Sequence, residues 1–82
     1  MHVTVVSPER AVFDGAADAV VAPAFDGQVG ILPHHAPFLT LLGTGVLRLQ
    51  QGGTSSRFTV AGGLLQVIGD AVRVVADRAE PA

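Results

Sequence analysis

The sequence predicts an all-β domain, a sandwich or barrel of short antiparallel strands, and three observations support this. Glycine- or proline-containing turn signals recur about every eight to ten residues along the chain. The pieces between them are rich in Val, Leu, Ile, Thr and Phe, which favour strands. Apolar and polar residues alternate within these pieces, so each strand has one face suited to a core.

The alternation identifies the strands in chain order. The predicted inward-facing residues are Val3 and Val5, Leu47 and Leu49, Phe58 and Val60, Leu65 and Val67, and Val72, Val74 and Ala76. Apolar residues also stand at outward positions, namely Val46, Leu64, Ile68 and Val75. The hydrophobic content of 49% and the mean hydropathy of +0.49 are high for so small a domain. Both features indicate a surface that a partner covers.

Turns are predicted where short polar residues meet glycine or proline. They are Ser7-Pro8, Asp14-Gly15, Asp26-Gly27, Gly43-Thr44-Gly45, Gly52-Gly53, Gly62-Gly63 and Gly69-Asp70. In the last segment, β-branched alternation favours a strand that runs through Ala76. The following "DRAE" has Asp77 three residues before Glu80, a pattern typical of a helix start.

Length and composition predict one domain over residues 1–82 and exclude several functions. All five basic residues are scattered arginines, which does not provide the clustered basic face of a nucleic-acid-binding protein. Without lysine there is no P-loop and no Schiff base, and without cysteine no disulfide or zinc–thiolate site. Neither a signal peptide nor a run of 18 apolar residues is present, so we expect an intracellular soluble chain.

The adjacent histidines His34 and His35 raise the possibility of a metal site or a catalytic base. Neighbouring strand residues face opposite ways, so the pair could chelate one metal only from a bent loop. Zinc needs three or four ligands, and the other candidates have no recognisable spacing: His2, Asp14, Asp18 and Asp26. The simpler interpretation is a turn framed by Pro33 and Pro37.

Other enzyme signals are weaker still. No G-x-S-x-G elbow surrounds a serine, and "GTGVLR" has Arg48 where a dinucleotide fingerprint needs its third glycine. The carboxylates lie mostly in or beside turns, where they cap backbone groups. The sequence therefore predicts no catalytic residue, no metal site and no cofactor.

The order of these signals resembles a known family. The runs "VVSPERAVFDGAADAVVAPAFDGQVGILPHHAPFLTLLGTGVLRL", "FTVAGGLLQV" and "VRVVAD" are similar to the N-terminal domain of the epsilon subunit of bacterial F-type ATP synthase, called delta in mitochondria. The resemblance extends from about Val3 to Glu80. It implies a flattened sandwich of two antiparallel sheets, about ten strands in all. It also implies a rotor subunit without catalysis, bound to the gamma subunit and the ring of c subunits, that couples ion-driven rotation to ATP synthesis.

The resemblance also implies roles for individual residues. The loop matching "DGQVGILPHHAP" faces the c ring, with Gln28 and His35 as contacts and with His34 at a position where relatives often carry glycine. Gly27, Gly30 and Pro33 would shape this loop. One sheet face would contact gamma, with Val46, Leu64 and Ile68 as the candidate residues.

Typical bacterial members continue into a C-terminal domain of two helices, which restrains ATP hydrolysis. The sequence stops after "VVADRAEPA", so we expect coupling without inhibition by such helices and without ATP sensing. The expected location is the cytoplasmic face of the bacterial inner membrane, as a peripheral subunit. Two alternatives remain at this point: a small metal-dependent enzyme using His34 and His35, and an unrelated adaptor sandwich.

Overall fold

The structure, a computed structural model, describes residues 1–82 and contains eight β-strands and no helix. The strands are β1 (His2–Val6), β2 (Ala11–Ala16), β3 (Ala19–Ala24), β4 (Gly27–Ile31), β5 (Phe38–Leu41), β6 (Thr44–Gln51), β7 (Thr54–Ile68) and β8 (Ala71–Pro81). They pair in the order β2-β1-β8-β7-β6-β3-β4, and β5 also pairs with β7. The all-β prediction is confirmed.

The long strands β7 and β8 each contribute to two layers. Residues 54–61 of β7 pair with β6, whereas residues 64–67 pair with β5. Strand β8 follows the same division, with residues 71–76 beside the end of β7 and residues 78–81 beside its start. Layer 1 is therefore β2, β1, the start of β8, the end of β7 and β5. Layer 2 is β4, β3, β6, the start of β7 and the end of β8. Counted this way, eight strands supply ten segments, close to the expected number.

The core lies between the layers. One cluster of 17 buried hydrophobic residues fills it, and no polar or charged side chain is buried. Layer 1 contributes Val3, Val5, Leu65, Val67, Val72, Val74 and Ala76, and layer 2 contributes Val20, Ala22, Ile31, Leu47, Leu49, Phe58, Val60 and Ala79. Every residue predicted to face inward is buried, because strand alternation fixes which side chains meet the core.

A line of glycines marks the corner where the strands pass from one layer to the other. Gly62 and Gly63 have positive φ angles of 67° and 116°. A Cβ at Gly63 would lie 2.0 Å from the Val75 carbonyl oxygen, and one at Gly43 would lie 2.7 Å from that of Ala24. Only glycine permits both these backbone angles and this close approach. In β7 the buried positions change from even to odd numbers across this corner, as expected where a strand switches layers.

Three sequence predictions are wrong, each because a cross-strand partner overrides a local signal. Asp14-Gly15 lies inside β2, where both residues pair with β1. Gly62-Gly63 forms the corner within β7 rather than a turn between strands. The "Asp77…Glu80" helix start is strand, because residues 78–81 of β8 pair with β7 and bury Ala79. Within the otherwise antiparallel sandwich, one pair of strands, β1 with β8, is parallel.

The remaining turn predictions are confirmed in place or within about two residues. Gly52-Gly53 joins β6 to β7 and Gly69-Asp70 joins β7 to β8. The Ser7-Pro8 turn is closed by reciprocal backbone bonds between Ser7 and Arg10, at 2.9 and 3.2 Å. The β3–β4 turn consists of Phe25 and Asp26, with Gly27 opening β4. Between β5 and β6 only Leu42 and Gly43 lie outside the named strands.

Candidate partner-binding surfaces

The turn after β4 carries both histidines of the loop. The His35 amide donates to the Leu32 carbonyl at 3.2 Å, and Pro33 and His34 are the two central residues. His34 has a φ of 68°, the only positive φ outside glycine. Proline followed by a left-handed residue is the pattern of a type II turn, which favours glycine at the position of His34. Pro33, with its restricted φ, is the first of the two central residues of this turn.

His35 is held against the body of the domain. Its Nδ1 lies 2.7 Å from the Ala36 carbonyl oxygen, so Nδ1–H donates the hydrogen bond. Its ring packs edge-on against Phe38, with 5.6 Å between centroids and an interplanar angle of 65°. These contacts leave Nε2 to accept a hydrogen bond. His34 is exposed and makes no side-chain hydrogen bond.

Gln28 lies on β4, the edge strand of layer 2. It pairs with Pro23 and is exposed, whereas Val29 packs against the core. Gly27 needs its glycine because its φ is 135°. At Gly30 a Cβ would meet nothing within 4 Å, and the structure gives no packing reason for glycine there. Gln28 lies near the start of β4 and the histidine turn follows the end of this strand, and no hydrogen bond joins Gln28 to His34 or His35.

The histidines do not gather further candidate ligands around them. No group of three or more His, Cys, Asp or Glu side chains occurs in the structure. The His2 Nε2 atom contacts the Asp14 carboxylate across β1 and β2, and both side chains are more than half exposed. The structure therefore provides no ligand cluster for the metal-dependent enzyme that His34 and His35 suggested.

The outer side of layer 1 is an exposed apolar surface. We call it the apolar face and define it by Leu39, Leu41, Leu64, Ile68 and Val75, whose exposed fractions range from 42 to 62%. Leu41, Leu64 and Val75 lie opposite one another on β5, β7 and β8. Phe25, 68% exposed, shares a depression of about 290 Å³ with Leu39 and Leu64.

The outer side of layer 2 is predominantly polar. Arg48 lies directly opposite Arg57, and Val46 lies opposite Thr59. Val46 is 43% exposed, the same fraction as Leu64. The structure thus brings Leu64 and Ile68 onto one face and separates Val46 from them, on the other layer.

Sequence reasoning missed Leu39 and Leu41, which contribute much of the apolar face. Their signal is the alternation in "FLTL", where Phe38 and Thr40 are half-buried and the two leucines are exposed. Phe25 was missed because an aromatic residue in a turn has no periodic pattern to mark it.

Comparison with known proteins places this architecture in a family. The model of the ATP synthase delta/epsilon chain β-sandwich domain matches residues 1–82. The chain belongs to this delta/epsilon family. The epsilon-family resemblance inferred from the sequence is therefore confirmed.

Two curated relatives illustrate the match. The ATP synthase epsilon chain of Desulforamulus reducens is 49% identical over 78 residues, which are 95% of this chain and 59% of that protein. The ATP synthase epsilon chain of Symbiobacterium thermophilum is 47% identical over 81 residues, 98% of this chain and 58% of that one. This delta/epsilon domain therefore spans less than two thirds of the length of these relatives.

Solved structures share the fold of this delta/epsilon domain at low sequence identity. A chain in the Euglena gracilis mitochondrial ATP synthase (OSCP/F1/c-ring) has a TM-score of 0.89 at 21% identity, covering 96% of this chain and 51% of that chain. One in the central stalk/c-ring structure of the Tetrahymena thermophila mitochondrial ATP synthase has a TM-score of 0.81 at 20% identity, covering 99% and 66%. No helix able to cross a bilayer occurs in this domain.

Proposed function

We propose that this chain is the β-sandwich part of a central-stalk subunit of a bacterial F-type ATP synthase. In this role it binds the gamma subunit and the c ring, couples ion-driven rotation to ATP synthesis and has no catalytic residues of its own. It works at the cytoplasmic side of the membrane as a peripheral component. Family membership supports this role, since the matching relatives are ATP synthase epsilon chains.

The apolar face is the observation that carries the proposal, and we assign it to the gamma subunit. Leu64 and Ile68 lie on this face and Leu41 lies beside Leu64, whereas the outer side of layer 2 has paired arginines. Stable interfaces have an apolar centre within a polar rim. Contiguous exposed apolar surface of this kind is uncommon on a free-standing monomer. We therefore assign Leu64 and Ile68 to the gamma contact, and we exclude Val46.

The edge formed by β4 and the histidine turn is assigned to the c ring. Gln28 is exposed on β4, and His35 is fixed by its bond to Ala36 and by Phe38. The fixed imidazole of His35 suits contact with polar ring loops, because little of its side-chain entropy remains to be lost on binding. Gly27 and Pro33 hold the backbone of this edge in place, and His34 lies exposed at its tip.

The sandwich suits torque transmission. Its core contains only hydrophobic residues, and β7 and β8 run continuously through both layers. Close-packed interiors have low compressibility and transmit strain. A load applied at the histidine turn, which joins the two layers, is therefore passed to the apolar face through packed side chains and shared strands.

Calorimetric titration of this chain into purified gamma subunit from the same organism tests the gamma assignment. We expect saturable one-to-one binding with a Kd of about 1 μM or tighter, an ordinary value for an interface of roughly 1,000 Å² or more. Absence of binding between two demonstrably folded proteins would contradict the proposal.

A second experiment tests the ring assignment. The complex of this chain with gamma is captured on purified c ring, and a variant with Gln28→Ala and His35→Ala is compared with the wild type. We expect weaker capture by this variant and unchanged capture by the control Gln50→Ala, which alters an exposed glutamine on β6. Equal capture of the wild type, the double variant and the control would show that Gln28 and His35 do not contribute to the ring contact.

A further inference from the structure

One charged side chain, that of Arg73, borders the apolar face and shares a depression with it. Arg73 lies on β8, an interior strand of layer 1, between Thr4 of β1 and Gln66 of β7. It lines a depression of about 240 Å³ together with Leu39, Leu64, Gln66 and Val75. Arg73 is exposed and therefore hydrated when the domain is alone.

Arg73 has no acidic partner within the domain. The close contacts between basic and acidic groups join the N-terminus to Asp70 and His2 to Asp14, and neither involves an arginine. Asp14 is on the same side of layer 1, but two strands away across Thr4. With about 4.8 Å between neighbouring strands, this separation is roughly 10 Å, and Asp14 is already bonded to His2.

A partner that covers the apolar face must either provide a hydrogen-bond acceptor for the Arg73 guanidinium or leave it in contact with water. A guanidinium that loses its water without gaining an acceptor is strongly unfavourable. Arginine at the rim of an interface can extend its head into solvent. Arg73 lines the same depression as Leu39, Leu64 and Val75, so a partner that fills this depression covers the guanidinium as well.

We propose that Arg73 is a specificity-determining residue of the apolar face, and that it receives a carboxylate from the protein that docks there. A carboxylate is the acceptor that matches the planar guanidinium fork, through two parallel N–H···O bonds. The occupant is therefore a protein surface with an apolar ridge and an Asp or Glu beside it. This inference rests on the proposed function, in which the gamma subunit covers this face.

A protein surface fits better than a membrane. Binding to anionic lipid requires several clustered lysines or arginines, whereas Arg73 is alone and the chain has a net charge of −2. The surrounding leucines and valine would also have to enter the bilayer from a flat sheet face that has no protruding anchor.

The test is calorimetric titration of purified gamma subunit with the wild type and four variants at two salt concentrations. Arg73→Gln removes the charge and keeps much of the volume. Arg73→Lys keeps the charge without the fork. Arg57→Gln is the matched control, an exposed arginine without an acidic partner on the outer side of layer 2. Leu41→Asp reports whether the apolar face is the docking surface. Thermal unfolding verifies that each variant is folded.

We expect Arg73→Gln to weaken binding at least about tenfold and Arg73→Lys to weaken it less, while Arg57→Gln leaves it unchanged. Salt should weaken wild-type binding more than that of Arg73→Gln. If Arg73→Gln binds like the wild type while Leu41→Asp abolishes binding, the inference is wrong and the proposed function stands. If neither change affects binding, the docking face is wrong and the inference fails with it. Absence of wild-type binding overturns both.

Discussion

The outer sides of the two layers differ although their inner sides are alike. Both layers bury Val, Leu and Ala against the same core. Outside, Leu64 and Val46 are equally exposed at 43%. Leu64 is flanked by Leu41 and Val75, whereas Val46 lies opposite Thr59 on a side that carries paired arginines. Exposure alone therefore does not identify a docking site, because a single exposed apolar residue is normal. The clustering of several such residues across neighbouring strands is the informative feature.

This difference depends on the corner at Gly62 and Gly63, which divides one continuous sheet into two opposed layers. We expect Gly63→Ala to disrupt this corner. The new Cβ would overlap the Val75 carbonyl oxygen, at a φ of 116° that alanine avoids. We expect a loss of about 3–5 kcal/mol in unfolding free energy, from steric overlap and backbone strain together. This loss would be a large part of the total, because the free energy of unfolding is typically about 0.05–0.15 kcal/mol per residue and the domain is small. Urea denaturation followed by circular dichroism measures it.

Gly53→Ala is the matched control for the corner. Gly53 lies in the β6–β7 turn, has no positive φ, and a Cβ there would meet nothing within 4 Å. Its unfolding free energy should stay within about 0.5 kcal/mol of the wild type. Equal destabilisation by the two substitutions would mean that the corner has no special role.

His34→Gly should relax the turn that links β4 of layer 2 to β5 of layer 1. His34 has a left-handed φ of 68°, which glycine adopts without a Cβ penalty. We expect stabilisation of about 0.5–1 kcal/mol, net of the greater entropy of glycine in the unfolded chain. Thermal denaturation detects this as a higher Tm.

The neighbouring substitution His35→Gly is the control and should act in the opposite direction. It removes the ring packed against Phe38 and the hydrogen bond to Ala36. If both substitutions raised the Tm, the stabilisation would come from the general flexibility of the loop and would not depend on the left-handed conformation of His34.

Arg57→Glu changes the outer side of layer 2 and should have the smallest effect. It replaces a like-charge pair with Arg48 by an opposite-charge pair. Directly opposed side chains on neighbouring strands contribute about 0.2–1 kcal/mol, so a small stabilisation is expected. Added salt should reduce the gain, because these side chains are exposed.

Ser55→Glu, opposite the uncharged Gln50, supplies the comparison for this charge effect. Its unfolding free energy and the salt dependence should change less than for Arg57→Glu, because Arg48 is only a diagonal neighbour of position 55. Denaturation of both variants at low and high salt measures the difference, and an equal gain from Ser55→Glu would contradict the pairing explanation.

Periodicity in the sequence predicted the core residues of β1, β6 and β7 and most of those of β8, but not Val20, Ala22 and Ile31 of β3 and β4, and it did not predict the paths of the long strands. Leu47, Phe58 and Leu65 are buried as alternation requires. In contrast, Gly52-Gly53 and Gly62-Gly63 look the same in sequence, yet the first is a hairpin turn and the second a corner within β7. The second pair is constrained by the Val75 carbonyl behind it, a partner 12 residues away that no local signal reports.

The candidate surfaces were indicated by the sequence only in part. The resemblance implies ring contacts for Gln28 and His35, outward apolar positions indicate Leu64 and Ile68, and the roles of all four stay predictions. Sequence could not separate Val46 from this pair, because the assignment of a strand to a layer depends on pairing. For the same reason the helix start predicted at Asp77 is wrong. Residues 78–81 of β8 pair with β7, and the local sequence contains no signal of this pairing.

The central claim is that the apolar face of layer 1, and not the outer side of layer 2, binds gamma. The most direct test compares Leu64→Asp with Val46→Asp by calorimetric titration into the gamma subunit, since the two side chains are equally exposed. A carboxylate in the desolvated centre of an interface should weaken binding by about 100-fold or more, whereas Val46→Asp should stay within roughly threefold of the wild type. A larger loss from Val46→Asp, or equal losses from both, would contradict the account.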